Sequence, residues 1–322
     1  MEYRYSEAAA HLRKMAEQAA QDHDRMPRMK VRVCGRIVEL CFFDAAHWEP
    51  AHRSLQSFVV EDGTPDATFV YACGSDCPRI YEGQKELHTF YSAIPERNLY
   101  LLSHADPEAV DYNVYGHTLV GLFSRWADDR DMILLHAAAV GSDGVGVLVA
   151  GRSGRGKSTF AVSCLAHGLE FVADDYTMIT ASGQLCAMPV YTTAEINRDM
   201  NPLLPQLGTP TGPLPHNGKL SFAVPAARLS ASLPIKAVVI PAPKREAVPS
   251  LRPVSPGAAL TQLVYSTSMQ LFRSRDAALA KRMIDRLREL PAYEMTMCPE
   301  LEKNTACLRR FLRERFAHVP TE

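Results

Sequence analysis

Residues 151–159 read Gly151-Arg152-Ser153-Gly154-Arg155-Gly156-Lys157-Ser158-Thr159 and satisfy the pattern G-x-x-x-x-G-K-[ST] in full. That pattern points to a loop that cradles nucleotide phosphates. Its glycines let the backbone adopt positive φ and approach phosphate oxygens with no Cβ in the way. The resulting nest of N–H groups, with the positive end of the helix that follows, favours a polyanion. Lys157 is the cation for the β- and γ-phosphates, and the Ser158 hydroxyl is the ligand for Mg²⁺. A second pattern follows closely. Residues 171–175 read Phe-Val-Ala-Asp-Asp, with Asp174 and Asp175 standing 17 positions beyond Lys157 and Ser158 respectively. A strand-end carboxylate beside the loop hydroxyl can hold Mg²⁺ directly or through water. Two adjacent carboxylates can divide the labour, one on the metal and one accepting a proton from an attacking hydroxyl. Ser158 and Asp175 are therefore the candidate metal contacts, and Asp174 and Asp175 the candidates for the base. Each pattern has a plainer reading: a glycine-rich turn that holds a lysine, and an Asp-Asp turn that caps the next segment.

Such residues need strands and a helix to position them, and the surrounding sequence supplies the signals. The near-continuous apolar runs at 132–140 and 145–150 have the character of strands buried on both faces. A helix over 158–167 and a short buried strand over 169–173 complete a strand–loop–helix–strand unit. Residues 198–219 hold five prolines and three glycines, which predicts a long loop able to act as a mobile flap over an acceptor. A strand is expected at 235–240, and helices at 257–270, 276–290 and 299–316. Before all this, residues 6–21 read as a helix, 29–43 as a hairpin around Gly35, 68–73 and 99–103 as strands, and 117–126 as a helix. The first part of the chain thus predicts a small α+β domain that carries no chemistry of its own. The expected division is 1–115 for that domain and 116–322 for the domain with the phosphate loop.

The composition excludes several classes. The chain has 322 residues, 47% hydrophobic and 22% charged, as in an ordinary globular protein with room for two domains. Its 35 Lys and Arg against 36 Asp and Glu give a net charge of -1, so no global field argues for nucleic acid or an anionic membrane. No apolar run reaches the ~20 residues that span a bilayer, and the first residues lack an apolar signal core. The eight cysteines are scattered, and the close pair Cys73 and Cys77 has no neighbours spaced for zinc. The expectation is a cytoplasmic protein with reduced thiols. Oligomeric state is left open, a homo-oligomer included.

Three segments together resemble a known family. Leu135-His136-Ala137, residues 144–158 through the glycine-rich loop, and residues 168–175 ending in Val-Ala-Asp-Asp are similar to the C-terminal domain of bacterial HPr kinase/phosphorylase. The likeness is continuous over residues 136–175 and weak elsewhere. It implies an α/β fold of the P-loop kinase type related to phosphoenolpyruvate carboxykinase. It also implies transfer of phosphate from ATP, with Mg²⁺, to the serine of a protein or peptide. By position, His136 matches that family's active-site histidine, Lys157 its phosphate lysine and Ser158 its magnesium hydroxyl. Asp174 and Asp175 match the carboxylates that supply the base and a metal contact.

The sequence also departs from that family. Its Glu-Ile/Val-Arg-Gly-Leu-Gly signature is missing; residues 193–196, Thr-Ala-Glu-Ile, stand near its place and make Glu195 a weak metal candidate. The Gly- and Arg-rich loop of the reverse reaction is not evident either; Lys219 and Arg252 are cations that could supply a positive charge to the transition state. The resemblance therefore implies a divergent serine kinase, similar in layout to those that modify precursor peptides of the lasso type. Two other functions compete with it. One is carboxykinase-like or nucleotidase chemistry, and the other is a nucleotide-binding sensor that transfers nothing.

Overall fold

The computed structural model describes residues 2–21, 26–73, 77, 79–82, 85–87, 89–104, 114–152, 154–214, 217–271 and 276–316. The chain is a mixed α/β protein that divides into two compact units, Met1–Asp129 and Arg130–Glu322. The boundary lies beyond the expected residue 115. The reason is the helix Val120–Asp128, which buries Phe123 and Trp126 against Phe69 of the first unit.

In the first unit β1 (Glu2–Arg4), β6 (Arg79–Glu82) and β7 (Lys85–Leu87) form a small sheet. The other strands are β2 (Arg28–Val33), β3 (Arg36–Phe42), β4 (Val59–Val60), β5 (Ala67–Cys73), β8 (Thr89–Ile94) and β9 (Leu99–His104), in the order β4-β2-β3-β5-β9-β8. The β2–β3 hairpin turns at Gly35, where φ is +74°. Strand alternation sorts the core. Val70, Ala72 and Leu101 meet Leu12, Ala16 and Ala19 of the helix Tyr5–Gln21, while Phe69 and Tyr100 pack together on the opposite face.

The second unit is built on a nine-stranded sheet. Its strands are β10 (Met132–His136), β11 (Ala138–Ser142), β12 (Val145–Val149), β13 (Glu170–Ala173), β14 (Tyr176–Thr180), β15 (Cys186–Pro189), β19 (Leu233–Arg245), β20 (Ser250–Val254) and β21 (Ala292–Met297). Seven of them follow the order β10-β14-β15-β19-β12-β11-β13, with β21 on β19 and β20 on β21. The run 132–140 is not one strand. It breaks at Ala137, so that β10 pairs with β14 while β11 pairs with β12 and β13. The Thr177 hydroxyl donates to the Ala137 carbonyl at 2.7 Å and gives that interrupted peptide a partner.

Two-sided burial explains why β11 and β12 read as unbroken apolar runs. Val147 and Val149 face a core shared with Phe160 and Leu308, from the helices Lys157–Ala166 and Leu301–Phe316. Leu148 and Ala150 face the other, shared with Leu263 and Met283 from the helices Pro256–Gln270 and Ala277–Glu289.

The described residues within 198–219 hold more regular structure than the long flap expected from their prolines. They form the turns Arg198–Leu203 and Pro205–Leu207 and the short strand β17 (Gly212–Pro213), which joins a second small sheet made with β18 (Leu220–Ala223) and β16 (Thr193–Ile196) from either side of the segment. Proline's fixed φ suits such tight turns, and the Arg198 Nε donor on the Gly218 carbonyl at 2.9 Å ties the segment's ends together. Among the described residues no helix is long and apolar enough to cross a membrane.

One close approach is testable. In the β11–β12 register Gly141 faces Gly146, and a Cβ on Gly141 would lie 2.3 Å from the Val145 carbonyl oxygen and 2.8 Å from Leu233 Cδ2. Because the nearer obstacle is backbone, Gly141→Ala should cost about 2 kcal/mol. The measurement is the urea midpoint at unchanged slope; wild-type stability would contradict this register.

Candidate active site

Both β12 and β13 run antiparallel to β11 and therefore parallel to each other, so their C-terminal ends open on one edge of the sheet. β12 leads into the glycine-rich loop and β13 into Asp174 and Asp175. Within the loop Gly154 and Gly156 have φ of +81° and +87°, a conformation that side chains with a Cβ disfavour. Gly156 opens the helix Lys157–Ala166, whose fourth residue, Phe160, donates its N–H to the Gly156 carbonyl at 2.9 Å. The first turn, which holds Lys157, Ser158 and Thr159, has N–H groups directed out of the helix end. Gly151 is buried, Arg152 exposed, and Arg155 half-buried with its N–H on the Arg152 carbonyl at 3.3 Å. Ser153 lies outside the described residues. Ser158 and Thr159 are half-buried.

Four predicted residues converge at this edge. Lys157, only 5% exposed, ion-pairs with Asp175 Oδ1 and donates to the Asp174 carbonyl at 3.3 Å. His136, at the end of β10, places Nε2 2.9 Å from the same Asp175 oxygen. With Nε2–H donated there, His136 Nδ1 is left buried without a hydrogen-bond partner. Asp174 is 2% exposed and accepts the Glu195 N–H on Oδ2 at 2.8 Å. The two adjacent carboxylates therefore differ. Asp174 fastens β16 to the end of β13, and Asp175, the more open of the two at 14% side-chain exposure, faces Lys157 and His136.

Glu195 and Lys219 join them. Lys219 Nζ lies 3.6 Å from Glu195 Oε2. Burial pushes the Glu195 carboxyl up to about 7; the Lys219 charge opposes this, and the Asp175 charge adds to it. Lys219 loses hydration by burial, yet Asp175, Glu195 and Asp174 together hold its ammonium above its ordinary pKa. A buried acid in the otherwise neutral strand Thr193–Ile196 was the available signal for Glu195. Lys219 was named together with Arg252 as a candidate cation, and nothing in the sequence separated the two. Arg252 does not reach the site. It is exposed on β20 and pairs with Glu294.

The helix Pro256–Gln270 supports this arrangement in a way its sequence did not reveal. The His136 N–H donates to Thr267 Oγ1 at 3.1 Å, and the Ser266 hydroxyl donates to the His136 carbonyl at 3.2 Å. Tyr176 lies against the His136 ring, at 5.2 Å between centroids, and its hydroxyl donates to Gln270 Oε1 at 2.6 Å.

The chain matches no family model and no curated protein. Function must therefore be argued from this geometry. The arrangement provides a buried cation beside a loop with outward N–H groups, a carboxylate held on that cation by an imidazole, and a second acid whose proton is retained to near neutrality.

The Glu195 shift carries a sign. An unfolded Glu195 releases its proton near 4.5 and the folded one near 7. The folded state thus binds more protons between these values, and stability falls as pH rises through that window. Glu195→Gln should remove this loss. Urea midpoints compared from about pH 5 to about pH 8 should move in the variant's favour as pH rises; parallel curves would mean that Glu195 is ionised throughout.

Proposed function

We propose that the chain is an ATP- and Mg²⁺-dependent kinase of the P-loop type, which transfers the γ-phosphoryl group to a serine hydroxyl of a protein or peptide. The observation that carries this reading is the meeting of Lys157, His136 and Asp175 at the end of the glycine-rich loop. In the absence of an anion, Asp175 occupies the Lys157 ammonium. A bound phosphate is the stronger ligand for the loop, with its N–H groups and helix end. It would take Lys157 over and release Asp175 to accept the proton of the serine hydroxyl. His136 orients that carboxylate through Nε2. Asp174 is buried and bonded to the Glu195 N–H, so it shapes the site instead of meeting the acceptor.

The donors near the loop suit a hard dication. Ser158, Asp175 and Glu195 offer oxygen only, which fits Mg²⁺. Among the described residues no three His, Cys, Asp or Glu side chains converge to hold a metal unaided, and Mg²⁺ usually takes phosphate and water for the rest of its shell. With Asp175 reserved for the acceptor's proton, Ser158 and Glu195 would hold the ion. When bound, Mg²⁺ supplies neutralisation of charge on the transferring phosphate. Lys219, beside Glu195, adds a second cation to the same region.

Two substitutions separate binding from transfer. Lys157→Ala should weaken ATP binding by at least about tenfold. Asp175→Asn removes the anion that competes for Lys157, so ATP measured without Mg²⁺ should bind as well or better, while phosphate transfer from γ-labelled ATP falls at least about 10²-fold. Full transfer by the Asn variant would remove Asp175 from the reaction. Weaker nucleotide binding would show that Asp175 does not compete for Lys157.

A further inference from the structure

The helix Pro256–Gln270 holds His136 with one side and has an unusual outer side. At the chain's 22% of charged residues, fifteen positions would carry about three charges, yet this helix, PGAALTQLVYSTSMQ, carries none. Its outer face exposes Val264, Tyr265 and Met269 at 40%, 48% and 67%, three of the seven large hydrophobic side chains exposed among the described residues. A helix that merely faced water would place charge there. The glycine-rich loop reaches this face, because the Arg152 guanidinium lies over the Tyr265 ring, 5.0 Å from its centre. A charge-free patch with Tyr and Met, bordered by Arg, has the composition of the core of a protein–protein contact.

We propose that this face docks the acceptor peptide, a reading that rests on the phosphotransfer function above. Position and charge select that occupant. Arg152 belongs to the loop that leads into Lys157 and lies over Tyr265, so a chain lying on Val264, Tyr265 and Met269 runs beside the glycine-rich loop at which its serine would be phosphorylated. The acceptor presents a large apolar side chain to Val264 and Met269. It also presents a carboxylate to Arg152, whose charge sits at the patch edge without removing the Tyr265 ring from solvent.

The test uses the full chain, immobilised and panned against a random-peptide phage library. The bound peptides should converge on a large apolar residue near an acidic one. For a synthesised winner, Val264→Ser with Met269→Ser should weaken binding by at least about tenfold, at an unchanged melting temperature and unchanged nucleotide affinity. Replacing the peptide's acid by its amide should weaken binding as well. Peptides with no shared pattern, or binding indifferent to the two substitutions, overturn the proposal. So does a dimer that the two substitutions dissociate, since a second copy would then cover the face. A serine-containing winner is also incubated with γ-labelled ATP. Docking that persists with no label transferred defeats the kinase reading and leaves a peptide-binding face.

Discussion

The buried contact between Lys157 and Asp175 is the constraint around which the second unit is arranged. Lys157 opens a helix and Asp175 follows the end of β13, and removing both charges from water costs several kcal/mol per ion before any attraction is counted. The contact persists because its neighbours offset that cost. His136 donates to the same carboxylate oxygen, and the Asp174 carbonyl accepts a further hydrogen bond from the ammonium. Losing either partner would leave an uncompensated charge in a poorly hydrated place. Under the proposed function this tension becomes useful. An arriving phosphate satisfies Lys157 in place of Asp175, so the event that binds the substrate also frees the base.

The polar residues at this edge perform a second, structural task. Where β10 gives way to β11 and β13 to β14, the backbone leaves one ladder for another and its polar groups need new partners. Thr177 serves the Ala137 carbonyl, Thr267 and Ser266 serve the two backbone groups of His136, and Asp174 serves the Glu195 N–H. The corners of the sheet are therefore the places where side chains capable of chemistry are already required by the fold. This is one physical reason for the site to lie here and not on the faces of the sheet, where apolar side chains pack against the helices.

The second unit also joins the site to its surface through single elements. The helix Pro256–Gln270 steadies His136 from within and carries an apolar outer face, and the glycine-rich loop supplies both Lys157 and the exposed Arg152.

What the sequence determined by itself was local. The order strand, glycine-rich loop, helix and acidic strand end was legible from residue types a few positions apart, as was the β2–β3 hairpin at Gly35, because turn chemistry and apolar periodicity act over short distances. The burial of β11 and β12 on both faces was legible for the same reason. Tertiary structure alone decided the break at Ala137, the sharp difference between Asp174 and Asp175, and the turns and short strand within residues 198–213. It also brought Lys219 to Glu195 while leaving Arg252 on the surface, although the two cations look alike in sequence. Partners such as residues 136, 175 and 267 are separated by dozens of positions, and strand register and packing, which no local pattern encodes, set which of them meet.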